Sequence, residues 1–276
     1  VIQGELFGDP AGRSGEGGRS GEEGRSAERG GSAVRGGRRE PAPGAVLLPD
    51  WLDLDAQLRL VAACREWARP PAGLHEVRMP TGGMMSVRMV SLGLHWYPYG
   101  YRRFAEDGAP VKPFPPELGL LARRAVVEAY GGGAGGGSEV GAGGGGGSGV
   151  GVGGSVGEAG GAQVAGAAAY EPDIAIVNHY PHGAKMGLHQ DRDERVDAPV
   201  VSLSLGDSCV FRLGNTETRT RPWTDLELRS GDLLVFGGPA RFAYHGVVRT
   251  LPGTADPALG LVGRLNITVR QSGLER

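Results

Sequence analysis

Cysteine and lysine are both scarce in this chain, and each shortage removes a class of explanation. Cys64 and Cys209 are the only cysteines and lie far apart, so no disulfide framework can form and a reducing compartment is the default. Both read as small buried hydrophobes. A Cys cluster for structural zinc is missing as well. No apolar run comes near the ~18 residues that cross a bilayer, so no membrane association is expected. Of 29 basic residues only Lys112 and Lys185 are lysines. The arginine excess could serve phosphate binding, yet it is spread along the whole chain, and compositional drift accounts for it just as well. Neither sign of charge is in surplus: the formal net charge of -2 gives no global attraction to nucleic acid and leaves any polyanion to a local patch.

Glycine is the opposite case. With 52 glycines among 276 residues, many in tracts that bury no side chain, the foldable part falls well short of the full length, and one domain is expected. Residues 1–40 mix Gly, Arg, Ser and Glu, cannot offset the entropy of ordering, and read as a disordered tail. Alternating acids there largely cancel the RNA affinity of an Arg/Gly arm. Residues 131–169, a Gly/Ser/Ala/Val tract without a period, read as a flexible insertion in a domain spanning 41–276. The chain opens on Val rather than Met, so a fragment or processed chain is expected, and the acids in its first segment are unlike a transit peptide.

Order begins at "PGAVLLPDWLDLDAQLRLVAACREWARP", where Asp50 can cap a helix and Leu54, Leu58 and Val61 recur at helical spacing. Pro70 and Pro71 end it. "MSVRMVSLGLHWYPYGYRRF" fits short strands with an exposed loop, and "PPELGLLARRAVVEAYG" predicts a second helix that stops at Gly131. After residue 170 come "DIAIVNHY", "PVVSLSL", "CVFRL", "DLELRSGDLLVFGG" and "RLNITVRQ", short strand-like runs that signal a sandwich or barrel.

Chemistry concentrates in this second half. In "GLHQDRDE", His189 and Asp191 stand two apart, so on a strand they share a face. Such a pair alone is common surface decoration. "FAYHGVV" supplies His245 on a later strand, which a jelly roll would fold back beside the first. Two imidazoles and one carboxylate on one side of a metal leave positions for oxygen and a chelating co-substrate, the arrangement of non-haem Fe(II) oxygenases.

The last strand, "RLNITVR", alternates Arg264, Asn266, Thr268 and Arg270 with Leu265, Ile267 and Val269. Taken alone it could be a surface strand with its charges in water. If both arginines are buried, an anion with two carboxylates is their natural complement, and a 2-oxo diacid fits. Asn178 and Tyr180 share a face just before the metal loop, within reach of the same ligand.

Together "IVNHYPHGAKMGLHQDRDE", "APVVSLSLG", "GDLLVFGGPARFAYHGV" and "RLNITVRQSG" resemble the AlkB-type Fe(II)/2-oxoglutarate-dependent dioxygenases, from about Trp51 to Gln271 outside the glycine tract. The resemblance implies an α+β, mainly β fold: a double-stranded β-helix, or jelly-roll, core with N-terminal helices and a small β lid for nucleotide recognition. It implies His189, Asp191 and His245 as ligands of Fe(II), with 2-oxoglutarate and O2 as co-substrates. Arg264, helped by Tyr180, would pair with the distal carboxylate of 2-oxoglutarate. Arg270 and Asn178 would sit by the carboxylate nearer the metal, with Asn266 alongside.

"MSVRM" and "LHWYPYGY" resemble the family's lid, where an aromatic stacks on a flipped base. Trp96 is the candidate, with Met85, Tyr99 or Tyr101 lining the pocket and Asp193 contacting the exocyclic edge of the base; core packing is the competing reading for the aromatics. Arg192 and Arg219 read as solvated loop charges, and His75, His95, His179 and His182 as ordinary histidines. The implied activity is oxidative demethylation of N-alkylated bases, such as 1-methyladenine or 3-methylcytosine, in single- or double-stranded DNA or RNA, with release of formaldehyde, succinate and CO2. A 2-oxoglutarate hydroxylase of protein or small molecules shares the iron and co-substrate residues, and an inactive nucleic-acid-binding module is a third reading. A monomer of nucleus or cytoplasm is expected. Deleting the glycine tract should leave 2-oxoglutarate turnover unchanged if it only links, and a steady-state comparison with the full chain checks this.

Overall fold

The computed structural model describes residues 37–131 and 169–275. A hairpin of β1 (Arg39–Ala42) and β2 (Ala45–Leu48) leads into α1 (Leu54–Trp67). Then follow β3 (His75–Arg78), β4 (Met84–Leu92), a small hairpin of β5 (His95–Tyr97) and β6 (Gly100–Arg102), and α2 (Pro116–Tyr130). The second half is strands: β7 (Ile174–Tyr180), β8 (Met186–His189), β9 (Val200–Gly206), β10 (Ser208–Gly214), β11 (Trp223–Leu228), β12 (Leu233–Phe236), β13 (His245–Leu251) and β14 (Arg264–Arg270). Among the described residues, eight strands form one sheet in the order β1-β2-β12-β9-β14-β7-β4-β3, and four form a second in the order β11-β10-β13-β8. This is the double-stranded β-helix core with helices packed outside it. No described helix is long and apolar enough to cross a membrane.

Local signals explain most boundaries. Asp53 caps α1 by accepting a hydrogen bond from the Ala56 amide at 2.8 Å. Asp50, the expected cap, instead takes a left-handed φ of 51° and donates its amide to Asp232 at 3.0 Å. Two acids three residues apart offered the same signal, and the strand before the helix decided between them. Pro116 begins α2 and the Gly131 amide closes it on Val127 O. The expected tail boundary moves: Arg39 and Glu40 already lie in β1, where Arg39 registers with Leu47. Residues 1–36 of the tail, and the insertion apart from Gly131 and Ala169, lie outside the described residues. β4 is a nine-residue strand rather than a set of short ones, held because it pairs with both β3 and β7.

Every residue of β7, β9, β12 and β14 is buried, so these strands are covered on both faces. One face is apolar: Val177, Val201, Leu203, Leu265, Ile267 and Val269 pack with Val61 of α1 and Leu118, Ala122 and Val126 of α2. The opposite face is mixed. Near β2 and β12 it is closed by Leu47, Leu234 and Phe236 against Phe211, Leu213 and Val247 of the smaller sheet. Toward β7 and β14 it carries Asn178, Ser202, Ser204, Arg264, Asn266, Thr268 and Arg270, all buried. The helices thus bury one side of the large sheet, and the space between the sheets is left for polar groups.

Leu203 is 0% exposed in β9, between β12 and β14. Leu203→Ala should destabilise the protein by about 2–5 kcal/mol, read as a lower urea midpoint with an unchanged slope.

Candidate active site

β8 and β13 run antiparallel with His189 registered opposite His245. Gly246 makes that approach possible, since a Cβ there would lie 2.5 Å from Met186 O and 2.9 Å from Gly187 O. The imidazole centroids are 4.4 Å apart. Asp191, just past the end of β8, places one carboxylate oxygen 3.7 Å from His189 Nε2 and the other 3.7 Å from His245 Nε2. The three candidate donor atoms lie within 4.8 Å of one another, close enough to share one metal ion.

Each imidazole is oriented from behind. His189 Nδ1 is 3.0 Å from Gly187 O and His245 Nδ1 is 2.9 Å from Ala243 O. Each Nδ1–H can therefore donate to a carbonyl, leaving the Nε2 lone pair for a metal. Burial, with His189 beside it, pulls the His245 pKa down to about 4, so the ring is neutral at neutral pH. Phe236 and Phe211 flank it, with centroids at 5.0 and 5.8 Å.

Burial alone would raise the Asp191 carboxyl. The Arg270 guanidinium and the two imidazoles outweigh burial and hold it well below the ordinary carboxylate range. Arg270 Nη2 and Nε donate to Asp191 Oδ2 at 2.7 and 3.1 Å. Two imidazoles and an ionised carboxylate suit a divalent first-row ion such as Fe(II).

The expected co-substrate residues gather on the inner face of β7 and β14, where Arg264 registers with Tyr180 and Asn266 with Asn178. The surface-strand reading of β14 fails, because Arg264 is 1% exposed and Arg270 7%. Arg264 donates to Ser204 Oγ at 2.8 Å and Asp207 O at 3.3 Å, while its Nε and the Asn178 Oδ1 are buried without a hydrogen-bond partner. The Arg264 Nε calls for an acceptor such as a ligand carboxylate, and the Asn178 Oδ1 calls for a donor.

Two expected residues are engaged otherwise. Asn266 Nδ2 donates to Ser202 Oγ at 2.8 Å and Leu203 O at 3.1 Å, and its Oδ1 accepts from Asn178 and Thr268. Arg270 finds its anion inside the protein, in Asp191, so one of the two carboxylates expected from a ligand is supplied by the chain.

The β5–β6 hairpin stands over the loop after Asp191. Trp96 and Tyr101 are cross-strand neighbours. Trp96 Nε1 donates to Asp193 Oδ2 at 2.8 Å, and the Tyr101 hydroxyl donates to Glu194 Oε1 at 2.5 Å. Trp96 and Met85 pack on an apolar group of Val77, Met89 and Ile176. Burial raises the Asp193 carboxyl, against the Trp96 hydrogen bond. Tyr99 does not join them: it occupies the hairpin turn with φ of 75° and is 74% exposed. Arg192 and Arg219 are exposed loop residues, as expected, and lie over the rings of Phe242 and Tyr244 at 5.3 and 5.7 Å. His95, expected to be ordinary, is buried with its Nε2 3.7 Å from Glu106 Oε1, beyond hydrogen-bond distance.

Sequence reasoning missed Glu194 and Arg241. Glu194 Oε2 accepts from Arg241 Nη2 at 3.0 Å, and Arg241 Nη1 donates to Asp191 O at 2.7 Å. The available signal was a run of acids after His189 that was too dense for a solvated loop.

A jelly-roll core with two histidines and a carboxylate between its sheets defines a class, and the family model described as 2OG-Fe(II) oxygenase superfamily matches residues 44–270. Within that superfamily the chain belongs to the AlkB family, and it is an Fe(II)/2-oxoglutarate-dependent dioxygenase. It is 36% identical over 237 residues to the alpha-ketoglutarate-dependent dioxygenase AlkB homolog of Caulobacter vibrioides, covering 83% of this chain and 88% of that protein. It is 31% identical to the DNA N(6)-methyladenine demethylase ALKBH1D of Arabidopsis thaliana over 83% of this chain, but spans only 49% of that protein. The solved structure of OsALKBH1 superposes with a TM-score of 0.66 at 29% identity, covering 84% of this chain and all of that one.

The His245 shift has a pH consequence. A histidine pKa lowered from 6.5 to about 4 means that the unfolded chain takes up the proton first, so stability is retained above pH 6.5 and lost as pH falls toward 4. Thermal melts of metal-free protein should show a steeper loss across that window than His245→Gln.

Proposed function

We propose that this enzyme oxidatively removes N-methyl groups from bases of DNA or RNA, with 1-methyladenine and 3-methylcytosine as the type of substrate. The observation that carries the reading is the Trp96–Asp193 contact of 2.8 Å, two residues beyond the triad carboxylate. A methyl group inside a duplex cannot reach a metal between two sheets, so the base must leave the stack and find an aromatic face and a polar edge. Trp96 offers the face. Asp193, half-buried and raised in pKa, offers an acceptor for an exocyclic amine. The name of the Arabidopsis relative, a DNA N(6)-methyladenine demethylase, agrees with a base as substrate.

In this reading His189, Asp191 and His245 hold Fe(II), and Arg264 binds the distal carboxylate of 2-oxoglutarate with Tyr180 beside it. Asn178 lies alongside, and Asn266 fixes its amide by accepting from Asn178 Nδ2 at 3.3 Å. Arg270 keeps Asp191 ionised and oriented. When bound, Fe(II) with 2-oxoglutarate and O2 supplies the oxidation: the N-methyl carbon is hydroxylated, 2-oxoglutarate leaves as succinate and CO2, and the adduct releases formaldehyde. The chain's own contribution is positioning, with buried walls that keep water from the reacting carbon.

Matched DNA and RNA oligonucleotides, each bearing one methylated base, should release formaldehyde only with both Fe(II) and 2-oxoglutarate present. Trp96→Ala should weaken oligonucleotide binding by about 1–3 kcal/mol. His189→Ala or Asp191→Ala should end 2-oxoglutarate turnover with an unchanged circular dichroism spectrum. Slow consumption of 2-oxoglutarate without formaldehyde would move the prime substrate to a protein or small molecule. Turnover by His189→Ala at normal iron content would sink the triad assignment.

A further inference from the structure

Asp191 of the triad and three charged side chains behind it, Glu194, Arg241 and Arg270, form a closed, buried group. Side-chain exposure is 8% for Asp191, 1% for Glu194, 2% for Arg241 and 9% for Arg270, and their formal charges cancel. Arg270 donates its fork to Asp191 Oδ2 and stands 3.6 Å from Glu194 Oε1. Arg241 spans the far side, from Glu194 Oε2 to the main-chain oxygens of Asp191 and Ala198. The hairpin enters through one hydroxyl, that of Tyr101, which donates to the same Glu194 oxygen that Arg270 approaches. A continuous path therefore runs from the hairpin to a candidate metal ligand: Tyr101, Glu194, Arg270, Asp191.

We propose that Glu194 is a positioning residue through which the β5–β6 hairpin fixes the carboxylate of the triad. The Tyr101 hydroxyl occupies Glu194 Oε1 and so limits how far Arg270 turns toward Glu194. Arg270 then keeps both nitrogens on Asp191 Oδ2, which holds that carboxylate with Oδ1 toward His189. Without the hydroxyl, Arg270 divides between two carboxylates, and Asp191 loses its fixed rotamer. Without the Glu194 charge, both guanidiniums have Asp191 as their one carboxylate and compete with a metal for it. A segment that meets the substrate is in this way tied to the ion that oxidises it. By reciprocity, whatever the hairpin does to metal affinity, metal does to the hairpin.

This inference rests on the triad as metal site and not on the demethylase reading, so its test uses the metal alone. Co(II) is titrated into metal-free protein without nucleic acid or 2-oxoglutarate, and the visible ligand-field spectrum gives affinity and geometry. Glu194→Gln and Tyr101→Phe should each weaken Co(II) binding by about tenfold, in the range for partners behind a metal ligand, and shift the band. The double variant should lose no more than Glu194→Gln alone, because both act along one path. Trp96→Phe removes the other hairpin hydrogen bond and should leave Co(II) affinity as in the wild type. Should Glu194→Gln fail to fold, Tyr101→Phe decides. An unchanged or higher affinity in Tyr101→Phe, additive losses in the double variant, or an equal loss in Trp96→Phe overturns the proposal. A wild-type protein that takes up no Co(II) overturns it together with the triad.

Discussion

The contact between Arg270 and Asp191 is the constraint on which the site depends. A carboxylate in this position has two histidines for neighbours and almost no water, and in isolation it would take up a proton. The guanidinium keeps it ionised, and beside this neutral pair lies a second one, Glu194 with Arg241, so that four buried charges cancel. Such a group contributes little net stability compared with a packed apolar core, yet losing one member leaves a charge stranded and costs several kcal/mol, about 3–5 in comparable cases. The four side chains come from β14, from the loop after β8 and from the turn before β13, so their geometry fixes three separate segments at once.

The layering explains how a small domain accommodates so much buried polarity. Helices α1 and α2 take the apolar side of the large sheet. The opposite side divides along its length, with an apolar seam closing the sheets at β2 and β12 and a polar floor at β7 and β14. Stability and chemistry thus occupy different ends of one interior. His189 marks the open end, with 36% of its side chain exposed against 8% for His245.

What was legible in the sequence follows from periodicity. The alternation in "RLNITVR" assigned every side chain of β14 to its face, whereas the shared strand face expected for His189 and Asp191 was not what joined them: β8 ends at His189, and Asp191 reaches the site from the loop beyond it. Fold class and triad emerged from patterns of that kind together with a family resemblance, which also gave Trp96 and Asp193 separate roles around one base but not the hydrogen bond that joins them. Partner choice was not legible. Nothing local to Arg270 says that its anion is Asp191 rather than a ligand, because that pairing depends on where β14 lies relative to the loop after β8. Glu194 and Arg241 were hidden for the same reason, being 47 residues apart and joined only by the closure of the sheets. Tyr99 misled because a tyrosine beside Trp96 and Tyr101 looks like a pocket residue, whereas the two-residue turn points it outward.

The alternation in β14 also bears on how the chain reaches this structure. Its neighbours β7 and β9 hold it in register across its whole length. A slip of one residue against either would turn Arg264, Asn266 and Arg270 under the helices and bring Leu265, Ile267 and Val269 into the polar floor. The side chains that serve the chemistry therefore also proofread the folding of the sheet, and a chain that has closed its core in a stable register has by the same act assembled its site.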